Sequence, residues 1–419
     1  MKPIALKRGF RTPFVKVGRE YARLNAVDLS VRLINGMLEK KIVPSDQIQH
    51  LIWGMVMPEP NIYSIAREAV LGSHLDRRVE AYSLSRACAT SLQAAANAAG
   101  YYNTFPEEPS LTLVGGVESF SATRPVLTDQ AAIFFKTLAS RAPIAQKLRT
   151  FLKTPLTAYW PVPPSAKEYS TDLTMGEHCE LMVKEFKITR QRQDQFALAS
   201  HQKATAARSK LASQLMSVAP GVAQDTLIRT DTSLEALKEL PTAFDHSSSG
   251  TITAGNASPF TDGAAALYVI SPALEKTVAP DAFLADFEFV GVDPKAGLLM
   301  GPGKAMLRLL QRQNLRWSDL DYIDMHEAFA GQVLCNVDAV NNPIYREKTY
   351  GVSYDAGRLE EARLNPWGSS VAYGHPFGAT GARMLNQAIA YLQETRTTRA
   401  LIGICTAGAL AGAALVVRN

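Results

Sequence analysis

One order of elements occurs twice along this chain: a strand, a small-residue turn carrying a reactive side chain, a helix, then a further strand. In the first half the helical pattern "LSVRLINGMLEKK" leads to "SDQIQHLIWG", a turn followed by a buried strand. "AYSLSRACATSLQAAANAAG" then reads as an extended segment, a turn at Cys88 and an Ala-rich helix, and "SLTLVGGVES" as another strand. In the second half "KAMLRLLQRQN" leads to "SDLDYIDMH", then to "VAYGHPFGATGARMLNQAIAYL" and the strand "ALIGICTAG". Strands alternating with helices form parallel pairs under helical cover. The expected fold class is therefore α/β, a duplicated unit packed on itself, although the echo lies in pattern more than in identity.

The 419 residues, 47% apolar and 20% charged, can furnish more than one core. A formal net charge of +5 is small for this length, and no basic clusters interleave with aromatic residues, which argues against a nucleic-acid partner. Cys88, Cys179, Cys335 and Cys405 lie far apart without a C-x-x-C pair, so neither a zinc knuckle nor a disulfide framework is expected. The charged start "MKPIALKRGFRTPF" lacks an apolar signal core, and the expected setting is reducing and cytoplasmic. "LIGICTAGALAGAALVV", from Leu401 to Val417, is a long uncharged run; Gly-broken and short for a membrane span, it reads as two buried strands joined by a tight turn.

Residues 120–245 differ in texture, with Pro clusters ("YWPVPPSAKEY"), helical patterns ("RQRQDQFALASHQKATAA") and a polar stretch ("FDHSSSG"). They read as an inserted loop domain between an N-terminal half, 1–119 completed by about 246–270, and a C-terminal half, 271–419. Ala131 to Ser165 contains no acidic residue but holds Lys136, Arg141, Lys147, Arg149 and Lys153. There Ile144, Leu148, Phe151 and Leu152 fall at i, i+4, i+7 and i+8, one helical face. The ordinary expectation is a surface helix packing that face on its own domain; the functional alternatives are a membrane-surface helix or a docking face for a partner subunit.

Five short stretches carry chemistry. Cys88 stands in the first turn of its helix, where unpaired N–H groups and the positive end of the macrodipole favour the thiolate; the bland alternative is a small buried hydrophobe. His375 occupies a Gly-bounded turn in "GHPFGATGAR", which permits close approach of a ligand. Cys405, in "ICTAGALAG", ends a buried strand and enters a turn whose N–H groups can point at an anion. "HEAFAG" places His326 at a strand end, where open α/β sheets present their sites. "TITAGNASPFTDGAAAL" holds Asn256 and Ser258 among small residues.

Together and in this order, these stretches resemble the thiolase family over nearly the whole chain, with "RTPF", "GGVES", "TMGEHCE", "SHQKA" and "TAGNAS" as further landmarks. "HEAF", "NPWG" and "GHPFGATG" are most similar to the thiolase subunit of fatty-acid β-oxidation multienzyme complexes, the commoner form having Asn where this chain has His326. The resemblance implies layered helices over two mixed sheets and a 3-ketoacyl-CoA thiolase (an acetyl-CoA C-acyltransferase) working in lipid degradation. Cys88 would be the nucleophile, His375 its base and Cys405 the acid–base group toward acetyl-CoA. One oxyanion would meet His375 and a water held by His326, the other the backbone N–H groups of Cys88 and Ala407. Ser258 would lie against the pantetheine arm of CoA, and Met175 would line the acyl pocket; a turn serine and a plain core methionine are the bland alternatives. Cys179 and Cys335 are left as packing residues.

The family further implies coenzyme A as co-substrate, no permanently bound cofactor or metal, and a homodimer or tetramer. A hydratase/dehydrogenase subunit or peripheral membrane contact through 136–153 completes the list of expected partners. Two departures bear on fine substrate preference. Ala407, Ala409 and Ala411 replace a Gly-rich pattern, and Ser369 stands where a second Gly is common. Alternatives are the same chemistry run as condensation, as in a biosynthetic acetoacetyl-CoA thiolase, or a non-catalytic CoA or lipid binder. An acyl-carrier synthase would use one cysteine with two histidines, which Cys405 argues against.

Overall fold

The uncharged run Leu401–Val417 becomes two adjacent strands of a large mixed sheet. The computed structural model describes residues 2–57 and 59–418, which fall into two compact units, Thr123–Lys167 and the remainder. The larger unit holds β1 (Ile4–Lys7), β2 (Val15–Lys16), β3 (Ile48–Gly54), β4 (Glu80–Leu84), β5 (Leu111–Glu118), β6 (Thr261–Ile270), β7 (Ala282–Gly291), β8 (Tyr322–Met325), β9 (Arg399–Thr406) and β10 (Leu410–Val417). Every residue of β5 and β6 is buried, as expected for strands covered on both faces. The run Leu401–Val417 forms β9, a tight turn and β10, the two strands paired antiparallel.

The duplication survives strand for strand. Outward from β1 the partners are β6 (antiparallel), β5 (antiparallel) and β3 (parallel). Outward from β7 they are β10 (antiparallel), β9 (antiparallel) and β8 (parallel). β4 adds a parallel strand beyond β3 at one edge. The resemblance implied two mixed sheets; here β1 also pairs antiparallel with β7, with Ala5 opposite Phe283, and joins the two sets.

The helices that follow the two reactive turns, Thr90–Thr104 and Thr380–Thr395, share one core with Ala94, Ala95, Ala98, Ala382, Leu92 and Leu385. Small side chains bring the backbones close. The Ala382 N–H donates to Ser91 Oγ at 2.8 Å, and a Cβ on Gly381 would lie 2.5 Å from the Leu92 nitrogen. Nothing but glycine fits there without parting the helices. Each fully buried leucine in this seam contributes about 1.5–3 kcal/mol by leaving water.

The stretch expected as one insertion, 120–245, is divided. Helices Met175–Glu185 and Arg190–Leu211 belong to the larger unit, where the Glu180 carboxylate accepts from the Ile252 N–H (2.7 Å) and Arg192 pairs with Asp338 (2.8 Å). Thr123–Lys167 holds helices Asp129–Ala139 and Ile144–Lys153, with Val126 bridged to Val162 and Phe134 set edge-on to Tyr159 at 5.2 Å. No residue of the second helix is buried. Ile144, Leu148, Phe151 and Leu152 are 84%, 56%, 46% and 74% exposed, so the predicted face is not packed away as the ordinary expectation held.

Replacing Gly381 with Ala is expected to cost about 1–3 kcal/mol in chemical denaturation, as overpacking against a backbone atom does. The same substitution should slow alkylation of Cys88 by iodoacetamide, because the two turns are aligned by this contact.

Candidate active site

The Cys88 turn is shaped by its neighbours. The Arg86 N–H donates to Thr90 Oγ1 (2.8 Å) and the Thr90 hydroxyl donates to the Ala87 carbonyl (2.7 Å), which ties the turn to the helix it opens. Ala87 is held at φ 43°, a conformation that costs a non-glycine residue of order 1 kcal/mol and turns the next side chain out of the helix path. Cys88 as a residue retains partial exposure, and its Sγ sits 3.0 Å from His375 Nε2. His375 follows Gly374 at φ 91°, and its own N–H donates to the Pro259 carbonyl (3.0 Å), next to Ser258.

The tautomer of His375 follows from its partners. The Thr380 hydroxyl donates to the Pro376 carbonyl (3.3 Å), leaving its oxygen to accept from His375 Nδ1–H at 2.7 Å. Nε2 then carries a lone pair facing the Cys88 thiol. His326 closes the group from the end of β8, its backbone N–H donating to the Gly403 carbonyl and its ring centroid 4.2 Å from that of His375. Cys405 lies in β9 opposite Ala411, near enough to Cys88 for each sulfur's charge to be felt by the other. The Ala407 N–H points at Cys88 Sγ. Positive φ in the following turn falls on Gly408 (75°) and Ala409 (56°), not on Ala407. The Gly408 N–H is taken by the Glu168 carboxylate at 2.7 Å, an anion supplied by the chain itself.

Electrostatics work against the thiolate that the helix N-terminus favours. Burial pushes the Cys88 thiol up to about 12, more than the Ala407 N–H pulls it down, and Glu118 adds to the rise. Burial, then the Arg383 guanidinium, draws His375 down to about 3. The resting pair is thus a neutral thiol donating to a neutral imidazole. Burial likewise raises Cys405 well above the ordinary thiol range and lowers His326 well below the ordinary imidazole range. The Cys88 sulfur and a nitrogen from each ring lie within 4.8 Å of one another, a span that a metal ion could bridge, but Arg383 opposes added positive charge on both rings.

Not every expected residue joins the cluster. The Ser258 N–H donates to the Ala328 carbonyl (2.9 Å), which sets it one residue from the strand-like contact between Ala257 and Phe329. Met175 begins its helix and, partly buried, packs against the second-half core. Cys179 and Cys335 are buried in that same core. Ser369, the departure from glycine, donates to Asp324 Oδ1 at 2.9 Å, so its hydroxyl is fully used.

Glu118 went unseen in the sequence except as part of "GGVES". Its carboxylate accepts from the Met57 N–H (2.9 Å) and the Gly378 N–H (3.1 Å), and so ties the loop after β3 to the His375 turn; burial raises it to about 7. Thr380 and Ser370, which hold the two rings, had no signal beyond their place near His375. Phe120, Phe260 and Phe377 pack together beside His375, the last at 4.7 Å from its ring.

Comparison with known proteins bears on this cluster. Residues 4–273 match the model of the thiolase N-terminal domain and residues 278–419 that of the thiolase C-terminal domain. The chain belongs to the thiolase family. It is 37% identical to a 3-ketoacyl-CoA thiolase of Escherichia coli (strain 55989 / EAEC) over 423 residues, 99% of this chain and 96% of that protein. It is 38% identical over 424 residues, with the same coverage, to a 3-ketoacyl-CoA thiolase of Klebsiella pneumoniae (strain 342). Its fold matches the crystal structure of the Bacillus anthracis acetyl-CoA acetyltransferase with a TM-score of 0.82, at 24% identity, covering 100% of this chain and 99% of that one.

A neutral dyad of this kind has a recognisable titration. Because the Cys88 thiol is raised and His375 lowered, inactivation by iodoacetamide should keep climbing between about pH 8 and 10, with no step near 6.5. A plateau at the ordinary thiol value would contradict the neutral pair.

Proposed function

We propose that this thiolase cleaves 3-ketoacyl-CoA with coenzyme A to give acetyl-CoA and an acyl-CoA shortened by two carbons, in fatty-acid degradation. The observation that carries the reading is the Cys88 Sγ to His375 Nε2 contact of 3.0 Å, with Cys405 and the Ala407 N–H gathered around the same sulfur. His375 takes the thiol proton as Cys88 sulfur bonds to the 3-keto carbon. A neutral pair suits this, since the thiolate forms only as substrate excludes water, and a buried base of low proton affinity returns the proton readily.

Breaking the bond between C2 and C3 leaves an acyl-cysteine and the enolate of acetyl-CoA, which takes the Cys405 proton. Incoming CoA then gives its thiol proton to Cys405 and attacks the acyl-cysteine; Cys88 leaves and recovers its proton from His375. The backbone N–H groups of Cys88 and Ala407 face the thioester oxygen, and His375 with a water on His326 faces the other oxyanion. Each set contributes about 3–4 kcal/mol to the transition state. Ser258 stands toward the pantetheine arm, consistent with its place beside Pro259, whose carbonyl holds His375. No permanent cofactor enters this chemistry; coenzyme A is a co-substrate. Condensation in the reverse direction uses the same groups.

The exposed face of Ile144–Lys153 fits a peripheral contact with an anionic membrane surface. Its apolar residues stand beside Lys136, Arg141, Lys147, Arg149 and Lys153 with no acidic neighbour from 131 to 165. No helix among the described residues is long and apolar enough to cross a membrane. The exposed edge strand β4 leaves a row of backbone groups for a second copy, in keeping with a homo-oligomer.

Thiolysis of 3-ketoacyl-CoAs of graded chain length, followed by thioester absorbance, tests the activity. Cys88→Ser should lower kcat by at least ~10³-fold, since a hydroxyl is a far weaker nucleophile than a thiol; near-normal turnover would end the mechanism. For the surface face, co-sedimentation with phosphatidylglycerol vesicles at low salt is expected, and loss of it in the Leu148→Asp/Leu152→Asp variant. Equal pelleting of that variant, or capture only by a hydratase/dehydrogenase subunit, would count against the membrane.

A further inference from the structure

Arg383 is 1% exposed and pairs at 3.0 Å with Asp324, which is 0% exposed. Removing two charges from water costs several kcal/mol each, so such a pair is weak evidence for stability and invites the question of what else it does. The answer lies in the protons it distributes. Arg383 Nη1 donates to Asp324 Oδ2, while Nη2 donates to both Ser369 Oγ (3.0 Å) and Ser370 Oγ (3.1 Å). The Ser369 hydroxyl spends its own proton on Asp324 Oδ1. The remaining partner of Ser370 Oγ is His326 Nδ1 at 2.9 Å.

A guanidinium only donates, so Ser370 accepts from Arg383, and its proton is left for His326 Nδ1. Were Nδ1 the protonated nitrogen, the Ser370 oxygen would face two donors and its own buried proton would go unpaired, which is unfavourable. His326 thus has its proton on Nε2. That nitrogen is buried and has no hydrogen-bond partner among the described residues, while its ring lies beside that of His375. His375 is in the opposite tautomer, because Thr380 spends its proton on Pro376 and accepts from Nδ1. Two adjacent imidazoles, each fixed by one hydroxyl, are made into a proton acceptor and a proton donor.

We infer that Arg383, acting through Ser370, is a positioning residue that fixes His326 as the Nε2–H tautomer and so makes it the hydrogen-bond donor of the oxyanion site. This rests on the reading of the cluster as a thiolase centre. The same buried guanidinium opposes protonation of either ring, so the division of roles holds in the resting enzyme.

The test uses full-length protein with 15N-labelled histidine, whose ring shifts report the tautomer directly. In the unmodified enzyme His326 should show a protonated Nε2 and a bare Nδ1. In Ser370→Ala, and in Arg383→Lys, which keeps a charge but loses the fork, the proton should move toward Nδ1. Thiolysis kcat should fall ~10–100-fold with KM within about threefold, at or below the loss of one oxyanion donor. Alkylation of Cys88 in Ser370→Ala should stay near the wild-type rate, because it draws on His375 alone. A His326 proton on Nδ1 in the unmodified enzyme overturns the inference even if neither variant folds. So does an unchanged kcat in folded Ser370→Ala when His326→Ala is impaired. If His326→Ala itself keeps full kcat, the thiolase reading of His326 fails instead.

Discussion

The site depends on how closely two helices approach at their N-terminal ends. Gly381 against the Leu92 backbone and the Ala382 N–H on Ser91 Oγ fix that approach. The Cys88 turn and the His375 turn stand at those same ends, so a sulfur and an imidazole from 287 positions apart meet at 3.0 Å. An Ala-rich seam is poor in apolar area per residue. What it supplies is proximity, because backbones separated only by methyl groups hold the turns at a defined spacing.

Burial then decides the chemistry. A helix N-terminus favours a thiolate, yet the surroundings of Cys88 remove more solvation than the nearby N–H groups return. The outcome is a neutral thiol on a neutral imidazole, with buried carboxyls and a buried guanidinium arranged one layer back. Glu118 ties the loop after β3 to the His375 turn through the 57 and 378 N–H groups. Charges are kept off the reacting atoms and used to orient their neighbours, where a low dielectric makes each hydrogen bond directional and hard to leave unmade.

The duplicated topology explains why the reactive turns face each other. Strand order outward from β1 and from β7 is the same, and the two strands pair with each other. Each half therefore presents its turn–helix on matching ground, and the covering helices of the halves meet over the joined sheet. Thr123–Lys167 forms a compact unit of its own with an exposed apolar face, whereas the helices from Met175 to Leu211 belong to the larger unit.

From the sequence alone, the α/β class, the repeat, the paired strands of Leu401–Val417 and the turns bearing Cys88, His375 and Cys405 were all legible. Periodicity, small-residue turns and uncharged runs are local properties that the backbone must obey. The pairing of β1 with β7 was not legible, because whether β1 pairs on one side or both depends on partners more than 250 residues away. Nor was the split of 120–245, since amphipathic helices look alike whether they cover a core or face solvent. Ser370, Thr380, Arg383 and Glu118 carry no motif of their own; a hydroxyl becomes a tautomer lock only when a carbonyl or a guanidinium claims its other valence. The upward shift of the Cys88 thiol was hidden for the same reason. The dipole of a helix can be seen in one dimension, but the loss of water around a sulfur exists only once the chain has closed around it.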